Sequence, residues 1–328
     1  MKVLVTGATG FAGRALVPAL LAAGWDVRAT GRNAANPPQF DSPTFNFVPA
    51  DLAKFNEWPA LVEGMDAVVH LAARAHVMHD SSTNPLAAFR SANVIPTTQL
   101  AQAAARAGVC QFLYISSIKV NGEGKGESPY SEADAPEPED AYGLSKLEAE
   151  RAVRLQSAEH GLPATILRPP LIYGPGVKGN FRRLLLLLKR GLPLPFANAH
   201  NRRSLLFVGN FCSAVVAALE RPARGERVYL LSDGEDVSVA DLIGRMARAL
   251  GRPARLFPFP VSALRWGAAA LGLKGELRRL TESLLVDSSR ARRELQWSAP
   301  YSLNEGLAAT AAWVQADAAA DAHGRMAR

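Results

Sequence analysis

A chain of 328 residues that is 48% hydrophobic and 20% charged is long enough for one large domain, or two coupled ones, with a sizeable core. That composition excludes a disordered chain, and no run approaches the ~20 apolar residues of a membrane span, so no membrane partner is expected. The net charge of +7 is unevenly placed: residues 1–160 carry 13 Lys/Arg against 17 Asp/Glu, net −4, and residues 161–328 carry 24 against 13, net +11. The arginines of the basic half come as scattered pairs with no long Lys/Arg tract, zinc spacing or aromatic RNA-binding motif, which favours a nucleotide or phosphate ligand over nucleic acid. Met1-Lys2 leads straight into a strand-like Val-Leu-Val, so no signal peptide is expected. Cys110 and Cys212 sit in apolar stretches and read as buried thiols of a reducing compartment, which implies the cytoplasm.

Residues 2–5 form a short β-rich run. Residues 6–13, Thr-Gly-Ala-Thr-Gly-Phe-Ala-Gly, follow it and open a helical pattern reaching about residue 23. Glycines at this spacing let the backbone approach a pyrophosphate, and the helix start offers free N–H groups and a favourable dipole. Gly7, Thr9, Gly10, Phe11, Ala12 and Gly13 are therefore candidate cofactor residues. A second strand over 26–30 ends at Thr30-Gly31-Arg32. Many NAD-binding folds place an acid here to hold the ribose 2′-hydroxyl. Arg32 instead suits a 2′-phosphate, so NADP(H) is favoured and NAD(H) is the alternative.

A strand over 46–49 ends at Asp51-Leu52, a candidate adenine contact. Residues 67–71 read as a buried strand followed by Ala72 and Ala73, small enough for a cofactor to lie against the backbone. A helix over 85–108 is interrupted near Pro96, and another strand spans 111–117. His70, His76 and His79 lack a Cys or carboxylate at ligand spacing, so no metal is expected. Strands alternating with helices predict an α/β fold with a Rossmann-type doubly wound parallel sheet, whose ligands sit at the carboxyl ends of the strands. Tyr142 and Lys146, four apart, share one helix face. A phenol beside an ammonium is expected to titrate below its free value of about 10, which would make Tyr142 a usable acid and base.

The second half leaves the sheet through Pro- and Gly-rich residues 167–176 toward a smaller C-terminal substrate-binding lobe. Asn180 is placed to cap a helix over 182–190. Strand plus helix over 205–218 should return to the first domain. A strand over 227–232, a helix over 238–250 capped by Ser238, an apolar helix over 262–271 and a short helix over 290–295 follow. The expected division is a dinucleotide-binding domain of 1–173 with 204–222, a lobe of 174–203 with 223–315, and a frayed tail over 316–328.

These residues together carry a resemblance. The stretches 6–13, 51–52, 70–73, Asn93-Val94, 115–122, 142–146 and Arg168-Pro169 stand in the order found in the extended short-chain dehydrogenase/reductases, and the chain resembles their nucleotide-sugar epimerase/dehydratase group over most of residues 1–175. The resemblance implies Ser117 as catalytic hydroxyl, Tyr142 as general acid/base, and Lys146 as the residue that binds the nicotinamide ribose and lowers the Tyr142 pKa. It adds Leu71, Asn93, Ser116 and Pro169 to the cofactor side. On the substrate side it implies Ser117, Lys119, Tyr142, Asn180, Phe196 against the base, Arg203 on the diphosphate and Arg279 as a second arginine.

The sugar 4,6-dehydratases follow the catalytic hydroxyl with Asp-Glu, and Ile118 and Lys119 stand there instead, which argues against dehydration. The resemblance then implies chemistry at carbon 4 of a nucleotide-diphosphate sugar, UDP-linked. One version is NADPH-dependent reduction of a 4-keto-6-deoxy-hexosamine, similar to reductases that form UDP-N-acetylquinovosamine for surface polysaccharide. The alternative is a UDP-glucose or UDP-hexosamine 4-epimerase with tightly held NAD. A non-catalytic NADP-binding sensor is the remote alternative. A homodimer through helices near 92–106 and 142–158 is the family habit.

Overall fold

The computed structural model describes residues 1–32, 40, 42–75, 84–260 and 281–326, with side chains of the last helix described to residue 317. In chain order the elements are β1 (Lys2–Thr6), α1 (Phe11–Ala22), β2 (Asp26–Gly31), β3 (Phe45–Pro49), α2 (Trp58–Val62), β4 (Ala67–His70), α3 (Pro85–Phe89), α4 (Ile95–Arg106), β5 (Gln111–Ile115), α5 (Ala141–His160), β6 (Ala164–Arg168) and β7 (Leu171–Tyr173). There follow α6 (Gly179–Lys189), β8 (Arg202–Phe207), α7 (Val208–Glu220), β9 (Glu226–Leu230), β10 (Asp236–Ser238), α8 (Val239–Ala249), α9 (Ser289–Glu294) and α10 (Leu303–Met326).

Seven parallel strands form the main sheet in the order β3-β2-β1-β4-β5-β6-β9. The central strands are apolar runs: β4, β5 and β6 are buried throughout, and β1 is buried beyond Lys2. Such runs suit parallel strands covered on both faces. Successive side chains alternate between faces, so Val3 and Val5 enter one core while Leu4 enters the other. The first core is covered by α1 and α7, which pack together, and the second by α4 and α5. The expected doubly wound architecture is the observed one.

The division into two units differs in detail from the sequence reading. β9, assigned there to the lobe, is the edge strand of the main sheet, because Val228, Tyr229 and Leu230 bury against β6. β8 does not return to that sheet; it pairs with β7 and β10 in a separate three-stranded sheet. Only α7 returns. The tail is helical to Met326 rather than frayed from 316. Cys212 is buried as expected, but Cys110 is exposed, since it precedes β5 at the amino-terminal edge of the sheet. The apolar helix over 262–271 lies outside the described residues.

The break near Pro96 is a π-turn over Arg90–Val94 between α3 and α4. Pro96 then sits in the first turn of α4, where its missing N–H costs nothing. α6 starts at Gly179 with Lys178 at its cap, so Asn180 is a helical residue and not the cap predicted for it. Among the described residues no helix is long and apolar enough to cross a membrane.

Candidate active site

The chain runs outward from β1 through β2 to β3, then returns to place β4 on the other side of β1. That reversal opens a crevice at the carboxyl ends of β1 and β4, the place where doubly wound sheets bind ligands. The glycine-rich turn fills one side of it. Gly7 has φ +72°, and a Cβ added there would lie 2.8 Å from the Ala72 nitrogen and 2.9 Å from its Cα. The turn therefore touches the backbone after β4, where small residues were expected. A Cβ at Gly13 would collide with the Gly7 carbonyl and Ala8. Gly10 caps α1, no side chain occupies its first-turn N–H groups, and no acid stands in that turn. Backbone donors beside a surface stripped of side chains fit the pyrophosphate of a dinucleotide. Phe11 reaches across to Gly176 of the second unit, 3.5 Å from where a Cβ would stand.

The next strand end along the sheet carries the reactive groups. Ser117 follows β5 and caps a 3₁₀ turn over Ile118–Val120; its oxygen accepts the Lys119 N–H at 3.3 Å. Its hydroxyl lies close enough to the Tyr142 phenol to act on its titration. Tyr142 lies in the first turn of α5, whose cap is Asp140, with Oδ1 accepting the Gly143 N–H at 2.7 Å. A Cβ on Gly143 would come 2.7 Å from the Lys119 carbonyl, so a glycine there lets the helix start approach the serine loop. Lys146, one turn on, is 1% exposed. Its Nζ donates to the Ile115 carbonyl at 2.6 Å and lies 4.3 Å from the centre of the Tyr114 ring.

The electrostatics differ from the expectation. Tyr142 is not lowered; desolvation, and then the Asp140 carboxylate, push it up to about 12, against a smaller lowering by the nearby Ser117 hydroxyl. Lys146 is brought down to about 7 by burial, partly offset by Glu150. The sequence shows the pair four apart but not that Lys146 is fully buried and Tyr142 half-buried, and loss of water disfavours both charged forms.

The Lys146 shift has a consequence for stability. Between its folded value near 7 and its ordinary value of 10.5 the unfolded chain binds the extra proton, so stability rises with pH there, by about 1.4 kcal/mol per unit at full slope. Above about pH 9 the buried Cys212 thiol, itself pushed up to about 12, acts in the opposite sense. We expect the urea midpoint of the cofactor-free protein to rise from pH 7 to pH 9, and Lys146→Met to flatten that rise. Equal slopes in the two proteins would show that Lys146 is not the group responsible.

Other candidates take varied places. Ser116 is buried at the strand end, and Pro169 accepts the Ile118 N–H at 2.9 Å. Arg32 stands exposed just past β2. Asp51 is exposed and Leu52 buried beyond β3. Leu71 and Ala72 are half-buried and Ala73 exposed in the crevice wall. Asn93 is a buried clamp: Oδ1 accepts the Arg74 N–H at 2.7 Å, and Nδ2 donates to the Arg74 carbonyl and to Ser145 Oγ at 2.9 Å. It holds the loop after β4 against α5. Lys119 forms ion pairs with Glu123 and Asp140, each at 2.5 Å. Phe196 is half-buried against the core, and Arg203 in β8 donates to the Glu282 carbonyl at 3.1 Å. Arg279 lies outside the described residues, as do His76 and His79.

One residue that sequence reasoning passed over sits here, beside one, His70, that it weighed as a metal ligand and set aside. Asp140 caps α5 and faces Tyr142; an acid just before a helical pattern was the available signal. His70 is buried at the end of β4 with Nδ1 2.6 Å from Thr6 Oγ1 and Nε2 2.9 Å from Thr97 Oγ1. Burial and then Lys146 hold it near 3, so it is a neutral tie between β1, β4 and α4.

Comparison with known proteins agrees with this geometry. Residues 3–238 match the family described as NAD dependent epimerase/dehydratase. A UDP-glucose 4-epimerase of Vibrio cholerae is 38% identical over 320 residues, covering 96% of each chain. A UDP-glucuronic acid 4-epimerase from Bacillus cereus, solved in complex with NAD, superposes with a TM-score of 0.78 at 26% identity over 96% of each chain. MoeE5, solved in complex with UDP-glucuronic acid and NAD, has a TM-score of 0.77 at 28% identity, covering 97% of this chain and 100% of the other.

Proposed function

The chain belongs to the NAD dependent epimerase/dehydratase family, and on that premise we propose that it carries out oxidoreduction at carbon 4 of a UDP-linked sugar, with Ser117, Tyr142 and Lys146 as its catalytic groups. It is an enzyme of the nucleotide-sugar epimerase/dehydratase type, and its cofactor is NAD(H) in the broad sense of a nicotinamide dinucleotide. The observation that carries the finer reading is the Tyr142 phenol lying near Ser117 at the end of β5, one helical turn from the buried Lys146. Gly7, Gly10 and Gly13, the first-turn N–H groups of α1, and Ala72 would hold the dinucleotide, which supplies the hydride chemistry when bound. Tyr142 moves the proton at oxygen 4, while Ser117 hydrogen-bonds that oxygen and orients the phenol. Lys146 supplies a donor to the cofactor ribose. Ile118 is buried and Lys119 is held by two carboxylates, so neither supplies the acid and base that removal of water across carbons 5 and 6 would need.

Two versions of the reaction differ in net chemistry. In the first, a 4-keto sugar is reduced and NADPH is consumed. Arg32 in place of an acid at the end of β2 supports it. In the second, carbon 4 is oxidised and re-reduced on the other face with NAD retained; the names of the similar proteins support it. Ile95 and Leu155, exposed on α4 and α5, support the proposed homodimer.

The test follows absorbance at 340 nm with UDP-4-keto-6-deoxy-N-acetylglucosamine and NADPH, with NADH in parallel. UDP-glucose and UDP-galactose without added cofactor form the second arm. Stoichiometric NADPH oxidation, faster than with NADH, establishes the reductase; interconversion of the two UDP-hexoses with no NADPH oxidation establishes the epimerase. Neither activity would sink the proposal. Arg32→Ala is expected to weaken NADPH by about tenfold, as for the loss of one charge-assisted pair, and to leave NADH unchanged. Equal effects on the two would exclude a 2′-phosphate contact.

A further inference from the structure

Behind Ser117 lies a polar group of four residues that the proposed chemistry does not use. Glu150 is fully buried, Arg168 is 2% exposed, Asn121 1% and Ser116 4%. Arg168 donates from Nε to Glu150 Oε1 at 2.9 Å and from Nη2 to Oε2 at 2.6 Å, a bidentate fork. Its remaining arm, Nη1, donates to Asn121 Oδ1 at 3.0 Å. Ser116 Oγ donates to Glu150 Oε1 at 2.5 Å. Arg154 stands further off, 3.7 Å from Glu150 and 3.4 Å from Glu226.

The four residues come from the three pieces of backbone that meet at the site: the loop after β5, α5 and β6. Ser116 is the residue before Ser117. Asn121 closes the 3₁₀ turn that Ser117 opens. Glu150 lies one turn beyond Lys146 and two beyond Tyr142 on α5. Arg168 ends β6, whose backbone also pairs with this loop through Ser116 N–H to the Leu167 carbonyl at 2.7 Å. One guanidinium–carboxylate pair thus grips both ends of the loop carrying Ser117 and ties it to the helix carrying Tyr142 and Lys146.

We propose that Asn121, Arg168, Glu150 and Ser116 act as one positioning unit, setting the Ser117 hydroxyl in register with Tyr142 and Lys146. A buried ion pair is weak evidence for stability, because apolar residues of like volume often serve as well. What the fork supplies and apolar packing does not is direction. The planar guanidinium fixes the carboxylate in angle as well as distance, and its third arm can be met only by an acceptor. Reacting groups need placement to within ~0.5 Å, and a ~1 Å error costs roughly 10²-fold in rate. Asn121 is specific to this arrangement: a leucine would leave Nη1 unmet, whereas asparagine fits and also reaches the Ser131 carbonyl at 3.4 Å.

The inference rests on the proposed roles of Ser117 and Tyr142 and is tested with a readout that needs no turnover. Glu150→Leu/Arg168→Met removes the pair without leaving a buried charge alone. Asn121→Ala cuts only the link to the loop and leaves the ion pair intact, so it covers the case in which the double variant fails to fold. Asn121→Asp restores an acceptor. The [13Cζ]tyrosine resonance of Tyr142, assigned by its absence in Tyr142→Phe, reports the placing of the phenol relative to the Ser117 hydroxyl. We expect it to move in both disrupting variants and to return toward wild type in Asn121→Asp. We expect kcat to fall roughly 10- to 100-fold with KM for the sugar nucleotide within about twofold, and the fall to be reversed by Asn121→Asp. An unchanged kcat, or a fall in kcat with an unmoved resonance, in a folded variant overturns the inference. If wild type turns over none of the sugar nucleotides, the proposed function fails by itself and the resonance alone decides: movement supports the unit, and no movement overturns it.

Discussion

Tyr142→Phe is expected to lower kcat by about 10²- to 10⁴-fold while dinucleotide affinity stays within about twofold, since general acid–base catalysis is worth that much and the ring itself is retained. The phenol lies against Ser117 and within the first turn of α5, and its loss removes one hydroxyl from an otherwise intact pocket. The ring should keep its contact with Phe89, 6.0 Å between centres. Steady-state rates with whichever sugar nucleotide the wild type accepts, with calorimetric titration of NAD and NADP, make the measurement. A kcat within threefold of wild type would remove Tyr142 from the chemistry. A non-catalytic NADP-binding sensor predicts no turnover in either protein and unchanged dinucleotide binding in both, so the same experiment excludes or retains that alternative.

Gly7→Ala is expected to abolish measurable dinucleotide binding, and it is best read beside Gly24→Ala. Both glycines have positive φ, +72° and +81°, so an alanine at either stores roughly 1–2 kcal/mol of backbone strain. That strain alone should lower the melting temperature by a few degrees in a chain of this size. At Gly24 the added Cβ meets nothing within 4 Å, and strain is the whole effect. At Gly7 it meets the Ala72 backbone at 2.8 Å across the crevice, so β1 and β4 must part at the carboxyl edge. Gly24→Ala should therefore bind NAD and NADP as wild type does. Gly7→Ala binding either within about twofold of wild type would show that the cofactor does not lie in this turn.

The local pieces of the site were legible in the sequence because their physics is local. A glycine turn between a strand and a helix, a Tyr and a Lys four apart, and a Ser238 cap are each decided by a few neighbouring residues, and all stand where they were expected. The alternation of strands with helices likewise announced a parallel, doubly wound sheet. Asn180 shows the limit even of local reading, since the helix begins at Gly179, with Lys178 at its cap, two residues earlier than its cap signal indicates.

Sequence by itself determined that this is a doubly wound α/β chain with a glycine turn at its first strand and a Tyr142, Lys146 pair on one helix face, because those features follow from spacing and side-chain chemistry; Ser117 joined them only through the family resemblance. Tertiary structure alone decided how the set is poised. Lys146 is lowered because it is buried, and Tyr142, half-buried, is raised by partial loss of water and by Asp140; that burial is created by residues distant along the chain. Asn93 became a clamp because Arg74 and Ser145 arrive on either side of it, and β9 joined the main sheet because β6 offered an unpaired edge. Arg168, Glu150 and Asn121 meet across separations of 18 and 47 residues, and no local pattern encodes a contact between chain segments that only the packed sheet and helix bring together.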